Sequence, residues 1–268
     1  MISEVLINGE SSDGTVPVTD SSVLRGDGCF EVLKAYDGRP FGIEAHLDRL
    51  EISAARLDID LPARADISRW ITQTAESLGD CAVRVVVTRG SSVPGLDDES
   101  RVIVFGHELS NPAGPARLGP VVAPWHAAGV EWDLAGAKLL SYAPNLAATR
   151  RAQKEGFEDA LLITTDGLVM EGPTFSIAWV IDDVLETPGL ELGILDSITR
   201  RAVLDAARRL GIEVVEGTWK LHRIGEATEA IAMSTFREVQ SVAEIGDVNL
   251  PEGPVTKRLA AAFAELVG

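Results

Sequence analysis

The lysines of this sequence are few, so the candidates for a nucleophilic amine can be considered one by one. Only five of the 24 basic residues are lysines, at positions 34, 138, 154, 220 and 257. Lys138 stands apart because apolar or small residues flank it on both sides, at 134–137 and 139–140. Apolar surroundings lower the pKa of a lysine amine and make its nucleophilic form accessible. Two readings stay open for Lys138: an amine that forms Schiff bases, or a lysine at a strand edge whose ammonium reaches water.

Other common catalytic arrangements have no support in the sequence. The four histidines, at 46, 107, 126 and 222, lack the spacing of metal ligands, so we predict no metal site. No Gly-x-Ser-x-Gly elbow occurs, which argues against a serine hydrolase. Neither a Walker lysine loop nor a Gly-x-Gly-x-x-Gly follows a strand, and the glycine-rich segment 25–28 predicts only a turn.

The composition excludes several classes of protein. The 268 residues carry 41 acidic and 24 basic side chains, a net charge of −17, which repels nucleic-acid phosphates and anionic lipid. Apolar residues make up 46%, enough for a buried core, but no apolar stretch approaches the length of a membrane span. With two cysteines and no signal-peptide pattern, we expect a reduced, cytoplasmic protein that binds neither nucleic acid nor membrane.

The elements that position Lys138 follow from hydrophobic periodicity. Alternating residues predict a hairpin at 30–43 and another at 82–105, and the apolar spacing from Ile43 to Leu57 predicts an amphipathic helix. A second helix is expected from a cap at Asp66 to Gly79. Residues 110–115 resemble a linker, so we expect two α+β lobes, residues 1–114 and 115–268.

The second lobe is expected to mix strands and helices. We predict strands near Val121 and Val130, a helix with Pro144 in its first turn, and strands at 160–164, 168–170 and 176–181. Ser197 is predicted to cap a helix that ends at Gly211, and residues 254–267 to form a last helix.

Eight segments together carry a resemblance to the fold-type IV pyridoxal-phosphate (PLP) enzymes. This family includes branched-chain aminotransferases, D-amino acid aminotransferases and aminodeoxychorismate lyases. The matching segments, in family order, are 25–31, 46–54, 88–90, 138–145, 166–172, 197–200, 234–239 and 253–258. The resemblance covers nearly the whole chain and implies a small N-terminal α/β lobe and a larger, barrel-like α/β lobe that binds PLP.

The resemblance assigns roles to single residues. It implies that Lys138 forms the Schiff base with PLP and moves the substrate proton, and that Glu171 keeps the pyridine nitrogen protonated. Tyr142 would hydrogen-bond the phenolic oxygen. The residues implied for the phosphate are Arg49, Ser197, Ile198, Thr199, Ser234 and Thr235. Residues 197–199 suit an anion because free amides lie at a helix N-terminus, although the family usually has glycine at the position of Ser197.

Two arginines bear on the substrate. Arg89 matches the position that the resemblance implies for the substrate carboxylate in D-amino acid aminotransferases, and a guanidinium holds a carboxylate bidentately. Arg25 stands where branched-chain enzymes generally have tyrosine, which suggests a second carboxylate contact. We therefore expect transamination between a D-amino acid, such as D-alanine or D-glutamate, and 2-oxoglutarate or pyruvate.

Three alternatives to this function stay open. They are an aminodeoxychorismate lyase, an aminotransferase for L-branched-chain amino acids or (R)-amines, and a binding protein without catalytic activity. The last requires an exposed Lys138 and no bound cofactor. The resemblance also implies a homodimer with small-molecule amino acids and 2-oxo acids as substrates.

Overall fold

The computed structural model of the chain describes residues 2–91, 93, 99–126 and 128–268. Its contacts divide the chain into two compact units. The N-terminal unit comprises Met1–Ser110 and Ala137–Tyr142, and the C-terminal unit comprises Asn111–Gly136 and Ala143–Gly268. The predicted boundary at residue 114 therefore differs from the observed one. The segment that carries Lys138 returns to the N-terminal unit because its backbone pairs there, whereas the sequence placed it in the second lobe.

The N-terminal unit is an antiparallel sheet with helices α2 and α3 on one face. In chain order its elements are β1 (Val5–Ile7), β2 (Glu10–Ser12), α1 (Ser21–Arg25), β3 (Gly28–Tyr36), β4 (Arg39–Pro40), α2 (Ile43–Arg56), α3 (Arg64–Leu78), β5 (Cys81–Thr88) and β6 (Arg101–His107). The strand order is β2-β1-β6-β5-β3-β4. The two predicted hairpins and the amphipathic helix are confirmed. Helix α3 begins at Arg64, however, and Ala63 rather than Asp66 precedes it as the cap residue.

Alternate side chains of β3 point to the face of this sheet that the helices cover. Cys29, Leu33 and Ala35 join the core that Leu47 and Leu50 of α2 complete. Since side chains alternate along a strand, Glu31 points to the same helix-covered face. A carboxylate in this core requires a partner of opposite charge.

Gly28, the first residue of β3, leaves no room for a side chain. A Cβ atom there would lie 2.3 Å from the carbonyl oxygen of Val87 and 2.7 Å from Cδ1 of Leu140. We predict that Gly28→Ala lowers the free energy of unfolding by about 1–3 kcal/mol, as overpacking typically does. Urea denaturation measures this, with Gly225→Ala as control because nothing lies within 4 Å of its added Cβ. Equal stability of the two variants would contradict the close approach.

The C-terminal unit is built on a larger mixed sheet. Its elements are β7 (Ala116–Val122), α4 (Ala143–Lys154), β8 (Asp159–Ile163), β9 (Ser176–Ile181), β10 (Val184–Pro188), α5 (Ile198–Arg209), β11 (Val214–Gly217), β12 (Glu229–Ser234), β13 (Glu238–Ile245), β14 (Val248–Asn249) and α6 (Pro254–Val267), with short 3₁₀ turns at Leu190–Leu192 and Leu221–Glu226. The strand order is β11-β10-β9-β12-β13-β7-β8, with β14 paired to β13. Three pairs are parallel: β7 with β8, β7 with β13, and β10 with β11.

Most of the predicted elements of this unit are confirmed. Helix α4 has Pro144 in its first turn, Ser197 caps α5, and α6 covers the expected range. Among the residues described around Val130, none lies in the predicted strand: residues 128 and 129 form a turn, and Val130 is 57% exposed. Residues 168–169 make only isolated bridges. In the described residues, no helix is both long and apolar enough to cross a membrane.

Candidate active site

Backbone hydrogen bonds hold the segment that carries Lys138. The amide of Phe30 donates to the carbonyl of Lys138 at 3.0 Å, and the amide of Leu140 donates to the carbonyl of Gly28 at 2.9 Å. Residues 138–140 therefore pair with the start of β3. The amide of Lys138 donates to Oγ of Ser53, on α2, at 3.1 Å. One strand and one helix thus fix the backbone from which the lysine side chain extends.

Two aromatic rings lie beside the Lys138 amine. Nζ lies 4.6 Å from the centre of the Phe30 ring and 5.9 Å from that of Tyr142. The two rings meet edge to face, with their centres 5.4 Å apart. The negative face of an aromatic ring attracts a cation. The half-buried amine therefore has a defined position beside the Tyr142 ring, and the hydrogen bond predicted for Tyr142 stays a prediction.

A buried cluster of charged side chains lies between β3 and α2. Glu31 accepts two hydrogen bonds of 2.7 Å from Arg49, one from Nε and one from Nη2. Nδ1 of His46 lies 2.7 Å from Oε2 of the same carboxylate. Glu31 is 1% exposed, so the bidentate pair is almost fully removed from water. Arg49, predicted as a phosphate ligand, is therefore oriented by a carboxylate.

The two titratable members of this cluster have shifted pKa values. Burial alone would raise the pKa of Glu31, but the charge and hydrogen bonds of Arg49, helped by His46, lower it to about 2. Burial lowers the pKa of His46, and the positive charges of Arg49 and Lys138 act in the same direction, against the opposing effect of Glu31. At neutral pH we therefore expect Glu31 to be ionised and His46 to be neutral.

Glu171 lies in the C-terminal unit, after β8. The amide of Leu195 lies 3.3 Å from both carboxylate oxygens of Glu171, which orients the carboxylate. The backbone carbonyl of Glu171 accepts from the amide of Leu162 at 2.9 Å. Gly172 follows and packs directly against the ring of Phe175. The carboxylate that the resemblance implies for a pyridine nitrogen is thus held by backbone and packing.

The start of α5 has the features of an anion site. Ser197 caps the helix by accepting, through Oγ, a hydrogen bond of 3.2 Å from the amide of Arg200. Ile198 and Thr199 contribute the first helical amides, for which no carbonyl of the helix is an acceptor. Asp196, whose negative charge would oppose an anion, is paired with Nε of Arg201 at 3.1 Å.

Ser197 offers a test of this helix start. We predict that Ser197→Ala lowers the free energy of unfolding by about 1 kcal/mol, because the Arg200 amide loses its cap, whereas Ser197→Gly costs only a few tenths. Urea denaturation measures both variants, with Ser11→Ala on the exposed strand β2 as control. If alanine and glycine had the same effect, the capping role would be wrong.

Ser234 and Thr235 lie at the turn between β12 and β13. Oγ of Ser234 accepts a hydrogen bond of 3.2 Å from the amide of Arg237. Arg237 itself is anchored by Asp159, with Nη2 3.0 Å from the carboxylate, and its guanidinium lies over the Phe175 ring. The turn is therefore well supported, and the phosphate contacts of Ser234 and Thr235 stay predictions.

The guanidinium of Arg89 is already engaged within its own unit. Nε and Nη2 donate to Asp27 at 2.6 and 3.2 Å, Nη1 donates to the carbonyl of Asp58 at 3.2 Å, and Nη2 also donates to the carbonyl of Leu57. To hold a substrate carboxylate in the predicted way, Arg89 would have to exchange Asp27 for it. Arg25 is exposed at the end of α1. Their substrate roles stay predictions.

The surroundings of Arg89 are also unfavourable to an anion. A cavity of about 480 Å³ adjoins it, lined by Asp58, Ile59, Asp60, Arg89, Glu99 and Ser100. Three of these lining residues are acidic and one is basic. A carboxylate in this cavity would meet net negative charge, which disfavours its binding.

Four side chains of the N-terminal unit support this site and were not among the predicted site residues. They are Phe30 at the amine, Ser53 at the Lys138 amide, and Glu31 with His46 at Arg49. Glu31 could have been found, because an acid within the core face of an apolar strand signals a buried partner. Ser53 lies in the matching segment 46–54, but its contact with Lys138 could not be predicted because it depends on how α2 packs.

Comparisons with known proteins agree with the resemblance. The model of the family described as amino-transferase class IV matches residues 28–245. A protein of Methanocaldococcus jannaschii named "Putative branched-chain-amino-acid aminotransferase" is 33% identical, over 98% of this chain and 96% of the relative. The D-alanine aminotransferase of Listeria monocytogenes is 30% identical, over 98% of this chain and 95% of the relative.

A solved structure extends the agreement to the whole fold. A hypothetical aminotransferase from Mycobacterium tuberculosis in its PLP-bound form superposes with a TM-score of 0.89 at 26% identity, covering 99% of both chains. The family match spans both units, and the relatives are matched over nearly their full length. The chain therefore belongs to the class IV aminotransferase family, and its structure is that of a fold-type IV aminotransferase.

Proposed function

We propose that this enzyme uses pyridoxal 5′-phosphate to transfer an amino group between an amino acid and a 2-oxo acid. The observation that carries the proposal is the position of Lys138, whose backbone is fixed by β3 and α2 and whose amine lies against the Phe30 ring. When bound, PLP supplies an aldehyde that links to amines and a ring that accepts electrons from the substrate.

Lys138 has two tasks in this proposal. Its amine would hold the cofactor covalently in the resting enzyme. Once the substrate is bound, the same amine would move the proton from Cα of the substrate to C4′ of the cofactor. Both tasks need a neutral amine at least part of the time.

The remaining donors and acceptors match the other parts of PLP in chemical type. Glu171 is an acceptor held by the Leu195 amide, as a protonated pyridine nitrogen requires. Tyr142 is the proposed hydrogen-bond donor to the phenolic oxygen. The phosphate would be held by the groups predicted from the sequence: Arg49, Ser197, Ile198, Thr199, Ser234 and Thr235. Glu31 orients the guanidinium of Arg49 through Nε and Nη2.

We propose a D-amino acid, such as D-alanine or D-glutamate, as the amino donor, with 2-oxoglutarate or pyruvate as acceptor. The support is the 30% identity to a D-alanine aminotransferase over 98% of the chain. The exposed Arg25 is the proposed contact for the substrate carboxylate.

A second candidate is the transamination of L-branched-chain amino acids. One observation favours it: the Asp27 carboxylate accepts from the Arg89 guanidinium, which was predicted to bind the carboxylate of a D-amino acid. The identity of 33% to the protein of M. jannaschii named for that reaction supports it as well.

Absorbance spectra of the purified holoenzyme distinguish these candidates. D-alanine, D-glutamate, L-leucine and aminodeoxychorismate are added separately, without a 2-oxo acid. The D-amino acid proposal predicts that D-alanine or D-glutamate converts the bound cofactor to its amine form, while L-leucine does not. Conversion by L-leucine alone establishes the second candidate. Pyruvate release from aminodeoxychorismate, with the spectrum unchanged, would make the enzyme a lyase.

The proposal includes a homodimer. Three exposed apolar side chains lie close together in sequence around α1: Val18, Val23 and Leu24, at 77, 58 and 54% exposure. Exposed apolar surface of this kind is typical of protein contacts. Sedimentation equilibrium of the holoenzyme should give twice the chain mass of 28.6 kDa.

A further inference from the structure

The glycine-rich turn at residues 25–28 is held by backbone hydrogen bonds to α1 and by one ion pair of Asp27. Gly26 ends α1 with a left-handed backbone conformation, φ +71°. The carboxylate of the next residue, Asp27, accepts from Nε of Arg89 at 2.6 Å and from Oγ of Ser21 at 3.2 Å. Arg89, which follows β5, is therefore the charged group that holds the Asp27 carboxylate of this turn.

This turn is one of the two supports of the Lys138 segment. The carbonyl of Gly26 accepts from Oγ of Ser141 at 2.9 Å, and the carbonyl of Gly28 accepts from the amide of Leu140 at 2.9 Å. A Cβ atom on Gly26 would lie 2.8 Å from Oγ of Ser141. The two glycines thus allow the backbone after Lys138 to approach the turn closely.

Arg89 also contacts helix α2, which is the second support of the Lys138 segment. Its Nη1 and Nη2 donate to the carbonyls of Asp58 and Leu57, at the C-terminal end of α2. Helix α2 carries Ser53, which accepts from the Lys138 amide. One guanidinium therefore ties together the turn and the helix between which the Lys138 backbone is held.

We infer that Arg89 and Asp27 are positioning residues for Lys138, acting on its backbone through the 26–28 turn and the end of α2. This role replaces the substrate contact predicted for Arg89. The two roles differ in consequence: a substrate ligand acts only when substrate is present, whereas a positioning residue changes the lysine segment in the resting protein. The inference rests on the proposed role of Lys138.

The test compares Asp27→Asn, Arg89→Ala and their double variant with wild type. Asp27→Asn keeps the size of the side chain and one hydrogen-bond acceptor, so we expect this variant to fold. Arg69→Ala is the control, because its pair with Asp66 on α3 is exposed. The first readout is hydrogen exchange of the Phe30 and Leu140 amides in the holoenzyme. We expect these two amides to exchange about tenfold faster in each single variant than in wild type. In the double variant they should exchange no faster than in Arg89→Ala.

The second readout separates positioning from substrate binding. We expect kcat to fall about tenfold in both single variants, and the KM for the amino acid to stay within twofold of wild type. An unchanged exchange rate, together with a raised KM in Arg89→Ala alone, would overturn the inference and make Arg89 a substrate ligand. Hydrogen exchange needs no turnover, so it tests the inference even if Lys138 does not bind the cofactor. Failure of the proposed function would instead show as a lack of transamination by the wild-type protein.

Discussion

Lys138→Ala should lose at least about a thousandfold in kcat, because the residue supplies both the covalent attachment and the proton transfer. Steady-state kinetics with saturating PLP measure the loss. The other lysines have contacts of their own: Lys34 lies over the Tyr36 ring, Lys220 pairs with Asp166 and Lys257 pairs with Glu252. We expect the fold to be retained, since the side chain is only partly buried.

Two further variants show which property of Lys138 matters. Lys138→Arg keeps the positive charge over the Phe30 ring, but a guanidinium does not lose its proton at neutral pH. It should therefore be as inactive as Lys138→Ala. Lys154→Ala removes an exposed amine of α4 and should leave kcat unchanged. Substantial turnover by Lys138→Arg would contradict a nucleophilic role.

Glu31→Gln should destabilise the protein by about 3–5 kcal/mol, because it leaves the guanidinium of Arg49 in the core without its counter-charge. Glu44→Gln is a matched control. Its pair with Arg64 has the same 2.7 Å distance, but the Glu44 side chain is 73% exposed, against 1% for Glu31. We expect little change for the exposed pair. Urea denaturation at neutral pH compares the two, and equal effects would show that burial of the Glu31 pair is unimportant.

The effect of Glu31→Gln should also depend on pH. The pKa of Glu31 is about 2 in the folded chain, against an ordinary value of 4.5. Between these values the unfolded chain binds a proton that the folded chain does not, so the stability from Glu31 is complete above pH 4.5 and is lost as the pH falls toward 2. The difference between wild type and variant should therefore shrink over this window. A difference that stayed constant from neutral pH to pH 2 would contradict the lowered pKa.

The sequence predicted those parts of the fold that depend on local pattern. The apolar spacing of Leu47, Leu50 and Ala54 predicted helix α2 and its buried face, and the alternation in β5 and β6 predicted a hairpin. Ser197 predicted the start of α5 because capping is a local interaction. Each of these signals lies within a few residues of the element that it specifies.

Features that depend on contacts between distant segments could not be predicted. Residues 138–140 pair with the start of β3, more than 100 positions earlier, and this long-range pairing groups Lys138 with the N-terminal unit rather than with the residues that follow it in the sequence. The partner of Arg89, Asp27, is likewise distant in sequence, and a charged residue has several possible partners. Val130 satisfied the pattern of a strand, yet it follows a turn at residues 128 and 129 and lies in no strand itself.

The central claim is that Lys138 binds PLP covalently, and one measurement tests it most directly. The holoenzyme is reduced with borohydride, which makes the lysine–cofactor bond permanent, and its peptides are then analysed by mass spectrometry. The account predicts one phosphopyridoxyl group per chain, on the peptide that contains Lys138. Modification of a different lysine, or none after incubation with PLP, would contradict it.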